Sequence, residues 1–131
     1  MEPSNVSAVL FAKDMRRVAA FYAQALGLTC SASDEDHWAL DWHGFHLTVH
    51  QIATHIADKI TIQQPPERRV WGAIRLNFPV QSIEASRRVA RSLGGEVDDA
   101  PPEWADRTAN FFLGYDPEGN VFGVSEHARQ P

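Results

Sequence analysis

Three side chains able to ligate, donate or accept alternate along one short stretch, Phe45-His46-Leu47-Thr48-Val49-His50. In a strand, successive side chains point to opposite faces. Phe45, Leu47 and Val49 then make an apolar face, and His46, Thr48 and His50 make a face of two imidazoles and a hydroxyl. Imidazole near neutral pH serves as a metal ligand or a general base. The alternative for His50 and His46 is a strand histidine that meets water or bonds to backbone. A second stretch, Ala73 to Val80, places Ile74, Leu76 and Phe78 on one side and Arg75, Asn77 and Pro79 on the other. A guanidinium in a semi-enclosed site binds carboxylate, sulfate or phosphate bidentately and discourages a divalent cation. The alternative for Arg75 is a side chain that snorkels outward or pairs with an acid. Strand parity adds Phe11, Asn110 and Tyr115 to the binding candidates. His37, His43, His55 and His127 fall in or beside turns, loops or the tail and read as surface.

Positioning these groups requires strands, and the chain supplies them in a repeated order. Val6 to Ala12 reads as a strand. Asp14 can cap a helix whose apolar positions Val18, Phe21, Tyr22, Ala25 and Leu26 recur at helical spacing, with Gly27 as the stop. Leu28–Ser33, His37–Trp42 and Phe45–His50 follow as strands, the last two joined by a His43-Gly44 turn. Residues 52–71, with Pro65-Pro66, read as a connecting loop. Ala73–Val80 is a strand again. Ser82 can cap a helix that buries Ile83, Val89, Ala90 and Leu93, with Ser86 an unexpected polar residue on that face. Gly94-Gly95 ends it, and Glu96-Val97, Thr108–Tyr115 and Val121–Glu126 close the pattern. Between the last two, Asp116-Pro117-Glu118-Gly119-Asn120 combines turn formers. The fold class is therefore α+β: two βαβββ modules, about 5–51 and 72–127, within one domain spanning 1–131. Each sheet buries one face under its own helix, and two cupped sheets would form a trough, a natural small-ligand site.

Composition narrows the functions. The 131 residues carry a formal net charge of −5, with basic residues scattered. A phosphate-binding face wants clustered Lys and Arg, so nucleic acid is not the expected partner. The same charge attracts a cationic ligand at long range, whereas Arg75 favours an anionic group. One cysteine, Cys30, excludes an internal disulfide and a cysteine metal cluster; it reads as a half-buried, inert thiol in a reducing, cytoplasmic setting. No apolar run reaches the ~20 residues that span a bilayer, so no membrane partner is expected, and Met1–Asn5 does not open a signal peptide. Four tryptophans, Trp38, Trp42, Trp71 and Trp104, suit core or dimer packing, and one or two in the trough would suit a flat ligand.

Three segments resemble the vicinal oxygen chelate superfamily, which includes glyoxalase I, extradiol dioxygenases and the fosfomycin- and bleomycin-resistance proteins. They are Lys13-Asp14-Met15 leading to Ala20-Phe21-Tyr22 and Leu26-Gly27-Leu28; Val80 into the helix ending Leu93-Gly94-Gly95; and Asp116-Pro117-Glu118-Gly119-Asn120. The resemblance implies the paired-module fold and a homodimer. Metal-dependent members place ligands on four strand positions, which fall here on Ser7, on His50 (or Thr48 after a slip of two), on Arg75 and on Gly123. Of these, only His50 is a metal-ligand candidate, and a divalent site needs about three protein ligands. The expectation is therefore a small-molecule binder built like the bleomycin-resistance proteins, which bind a drug in a groove shared by two subunits, with no cofactor. Its ligand-binding candidates are Ser7, Phe11, His46, Thr48, His50, Arg75, Asn77, Asn110 and Tyr115. Two alternatives stay open: a lyase, isomerase or dioxygenase using Zn, Ni, Fe or Mn as glyoxalase I does, and a non-catalytic dimerisation module.

Overall fold

Caps and turns set the ends of the elements. A computed structural model describes residues 6–106 and 110–126; Asn5, Thr108 and His127, which the expected limits reach, lie outside them. The order is β1 (Ser7–Ala12), α1 (Met15–Leu26), β2 (Thr29–Ser33), β3 (His37–Trp42), β4 (Phe45–Gln51), α2 (Thr54–Ala57), β5 (Asn77–Val80), α3 (Ile83–Ser92), β6 (Glu96–Val97), β7 (Phe111–Tyr115) and β8 (Val121–Glu126). Asp14 caps α1 by accepting from the Arg17 amide at 3.2 Å, and Ser82 caps α3 by accepting from the Ala85 amide at 3.1 Å. His43 (φ 39°) and Gly44 (φ 86°) both take positive φ, as a two-residue hairpin between right-twisted strands demands.

Two four-stranded sheets result, ordered β1-β4-β3-β2 and β5-β8-β7-β6. In each, the strand before the helix pairs in parallel with the last strand of its module, and the other pairings are antiparallel. The helices lie on one face of each sheet, and both modules share one core. Phe21, Leu26, Leu40, Leu47 and Val49 from the first module and Val97, Phe122 and Val124 from the second are all fully buried in it. Ser86 lies on this buried side, as its spacing implied.

The modules are joined through α1, α3 and the Asp116–Asn120 turn. Glu118 accepts from the amides of Lys13 and Asp14 at 2.8 and 2.7 Å, at the start of the first helix. Tyr22 donates its hydroxyl to Asp116 at 2.8 Å. Asp116 also accepts from the Glu118 and Asn120 amides and the Asn120 side chain. Gly119 stands at φ 87°, where any side chain is strained, and a Cβ there would strike the Glu67 carbonyl.

Three expectations need correction. The 52–71 connection contains α2, a single turn too short to show periodicity, whose buried Ala57 accepts from Lys13 Nζ at 2.7 Å. The fifth strand starts at Asn77, not Ala73. Arg69 bridges to Asn120 and Leu76 accepts from the Gly123 amide, so seven residue steps of this segment run beside only three from Asn120 into β8. The excess chain must leave the ladder, so residues 70–75 project outward. Ile74 is 80% exposed there instead of sharing the buried face of Phe78. Cys30, finally, is exposed. No helix among the described residues is long and apolar enough to cross a membrane.

Candidate ligand-binding faces

Because the helices occupy one face of each sheet, the other face turns away from the shared core. The first open face carries Ser7 and Phe11 of β1, His46, Thr48 and His50 of β4, and His37 and Asp41 of β3. The register pairs Ser7 with His46, Phe11 with His50, and His37 with His50. The Phe11 and His50 rings lie 5.5 Å apart, and those of His37 and His50 only 4.2 Å. His50 Nδ1 donates to the Gln51 carbonyl at 2.7 Å, so Nδ1 carries a hydrogen and, in the neutral ring, Nε2 is the lone-pair nitrogen. His46 Nδ1 bonds Asp41. Hydrogen bonds from Ser31 and then His46 hold the Asp41 carboxyl below its usual range. Asp34 is likewise lowered, chiefly by the Asp36 and His37 amides that it caps, and its carboxylate reaches His37 Nδ1 at 3.3 Å. His37, assigned to the surface from sequence, is exposed but belongs to this group.

The second open face is built around Arg75. Its Nε donates to Asn77 Oδ1 at 3.1 Å, and its guanidinium carbon lies 5.2 Å from the Trp104 ring centre and 5.5 Å from that of Phe111. Gly123 floors this cluster: a Cβ there would meet Asn77 Oδ1 and the Phe111 ring. Tyr115 lies further along, with Arg68 5.6 Å over its ring. Arg68 is committed elsewhere, bonded to both oxygens of Asp98 at 2.9 and 2.6 Å, and that carboxylate raises its pKa. Asn110 precedes β7 and is exposed; five positions from Tyr115, it has the wrong parity, and Phe111 shares the Tyr115 face instead. That parity was readable from the sequence. Trp104 was not, because it follows a proline-rich loop with no period to place it.

The structure thus brings together Ser7 with His46, Phe11 with His50, and Arg75 with Asn77, on two different sheets. β1 and β5 are edge strands, and Phe11 is 61% exposed. One chain presents two open faces. Two surface depressions lie away from these faces, one of about 740 Å³ along Glu84, Arg87, Arg88, Arg91 and Ser92 of α3, another of about 340 Å³ between Thr61–Gln63, Glu67–Arg69 and Glu118.

The residues do not fit a divalent cation at the four superfamily positions. Ser7 and His50 sit at opposite ends of the β1–β4 pair, about 13 Å apart along the strand. Arg75 brings a fixed positive charge, and Gly123 has no donor. Among the described residues, no three His, Cys, Asp or Glu side chains converge as a metal site.

A family model described as a glyoxalase-like domain matches residues 7–125. The fold is similar to that of a glyoxalase/bleomycin resistance protein from Albidiferax ferrireducens T118, with a TM-score of 0.65 and 16% identity over 94% of this chain and 98% of that one. It is also similar to a genomically encoded fosfomycin resistance protein from Listeria monocytogenes, with a TM-score of 0.62 and 15% identity over 100% and 95% of the two chains. A glyoxalase/bleomycin resistance protein/dioxygenase family enzyme from Burkholderia phytofirmans PsJN gives a TM-score of 0.61 and 21% identity over 92% and 95%. No protein of curated function matches the sequence.

Proposed function

Because the chain belongs to the glyoxalase-like domain family, we propose that it is a metal-independent, cytoplasmic small-molecule-binding protein whose groove is completed by a second copy of the chain. The observation that carries this reading is Arg75, a cation held on the Trp104 and Phe111 rings just before β5, where counting along the sequence by the superfamily resemblance puts a metal ligand. Such a group recognises an organic ligand directly and repels a divalent ion. The need for a second copy follows from the two open faces. Each has a bare edge strand beside it, and exposed edges and apolar side chains are what a partner covers. Val9, Phe11, Val70, Trp71, Ile74 and Trp104 are among the large apolar residues left bare, Trp71 at 95% exposure.

Elemental analysis of protein purified without chelator tests the metal half. A value near zero per chain, with no thermal stabilisation by Zn, Ni, Fe or Mn ions, is the expected result; near one equivalent, lost in His50→Ala, overturns it. Sedimentation equilibrium tests the other half, a dimer at micromolar concentration being expected and a monomer overturning it.

A second reading, catalysis without a metal, draws on His50. With Nδ1–H tied to the Gln51 carbonyl, Nε2 of the neutral ring is the atom left to accept a proton from a bound molecule. Turnover of any substrate that survives in His50→Ala removes that reading.

A further inference from the structure

Three arginines of the second half of the chain lie over aromatic rings: Arg68 over Tyr115, Arg87 over Phe112, and Arg75 over Trp104 and Phe111. The first two are neutralised. Arg68 makes a two-point bond with Asp98, and Arg87 pairs with Asp99 at 3.2 Å while donating to the Val97 and Asp98 carbonyls. Arg75 has no carboxylate partner among the described residues, and its one side-chain hydrogen bond there uses Nε. That bond fixes the plane of the guanidinium and leaves both terminal nitrogens, the pair that grips a carboxylate in two parallel bonds. Beside it stands Trp104, 64% exposed, its ring 5.8 Å from Phe111. Gly123 keeps the floor open, because a methyl there would displace both Asn77 and Phe111.

Resting on the binding reading above, we infer that Arg75, Asn77, Trp104 and Phe111 form a subsite for the carboxylate of a small acid with a flat aromatic body. A lone inorganic anion would use the guanidinium and ignore the rings, and a neutral aromatic would use the rings and ignore the charge. The subsite also reconciles a chain of net charge −5 with an anionic ligand. Recognition is local, and the field of scattered surface acids is screened within about 10 Å at 0.1 M salt.

Calorimetric titration of the purified wild-type chain with 2-naphthoate, 2-naphthamide and inorganic phosphate tests this. Saturable binding of 2-naphthoate is expected, with the amide about tenfold weaker or more, since it loses a hydrogen bond between charged groups, and phosphate about threefold to tenfold weaker, since it loses the ring contacts. Arg75→Gln should lower 2-naphthoate affinity about tenfold or more, and Trp104→Ala about threefold to tenfold. Both residues are exposed, so both variants should melt with the wild type, and Gly123→Ala offers an independent block of the same cradle. The inference falls if Arg75→Gln binds 2-naphthoate unchanged, if the amide binds equally, or if phosphate binds as tightly, which would leave a general anion site. If 2-naphthoate gives no binding, the inference also falls, and 2-naphthamide and 2-naphthylmethylamine then separate the two readings. Binding of either keeps the small-molecule reading alone; binding of neither removes both.

Discussion

The two halves of this chain agree on their inner faces and disagree on their outer ones. Leu40, Leu47 and Val49 of the first sheet and Phe78, Phe122 and Val124 of the second meet the same core under the same strand order. Outside, the first sheet carries His37, His46 and His50 among carboxylates, and the second is flanked by Arg75 lying on aromatic rings. The inner faces answer to packing, which accepts apolar side chains of suitable volume and little else. The outer faces make no contribution to the shared core and are free to differ in chemistry. That is how one fold hosts unrelated functions.

The widest gap should appear between two phenylalanines. Phe122 is buried against Phe21, Tyr22 and Phe78, whereas Phe11 faces outward beside His50. Phe122→Ala should cost about 3–5 kcal/mol of unfolding free energy, and Phe11→Ala about 0.5 kcal/mol or less in the monomeric chain. Urea denaturation at a protein concentration low enough for the chain to be monomeric measures both. Equal losses would break the distinction between inner and outer faces.

A smaller effect is expected at the buried junction of the modules. Asp116→Ala strips acceptors from the Tyr22 hydroxyl, the Asn120 side chain and two amides, and should cost about 2–4 kcal/mol, since unsatisfied buried donors carry their full desolvation penalty. A loss under about 0.5 kcal/mol, the ordinary surface value, would show that water satisfies these groups.

The same pair makes stability depend on pH. Burial, followed by the Asp116 charge, pushes the Tyr22 hydroxyl well above its ordinary 10.0. The unfolded chain releases that proton near 10 while the folded chain holds it. Stability is therefore full below pH 10 and falls as pH rises beyond it. Tyr22→Phe should flatten the alkaline decline, read from melting temperatures between pH 8 and about 11. Burial also raises the Asp116 carboxyl against the pull of its four donors. The folded state keeps that proton longer, so this group's contribution shrinks as pH rises above the ordinary carboxylate range, the same sign as for Tyr22.

The smallest change should come from His37→Ala. Its ring meets His50 and Asp34 at the surface, and its loss should leave the melting temperature unchanged. A clear drop would mean that the first outer face is structural after all.

Much of this was legible in the residues alone. Helical spacing in Met15–Leu26, alternation in His37–Trp42, and turn chemistry at His43-Gly44 and Asp116–Asn120 are local signals, and local backbone geometry follows from them. So did the face that His46, Thr48 and His50 share. Three things were decided by the tertiary structure. The projection of residues 70–75 arises because one segment has more residues than the strand it runs beside, a mismatch between positions some fifty residues apart. The gathering of Trp104 and Phe111 under Arg75 joins two connecting segments to one strand, and no period in the sequence connects them. The separation of Ser7 from His50 follows from the parallel register of β1 on β4, which depends on how the intervening helix packs. Sequence determines what each short stretch can be, because side-chain alternation and capping act over a few residues; which stretches meet is settled by the whole chain closing on one core.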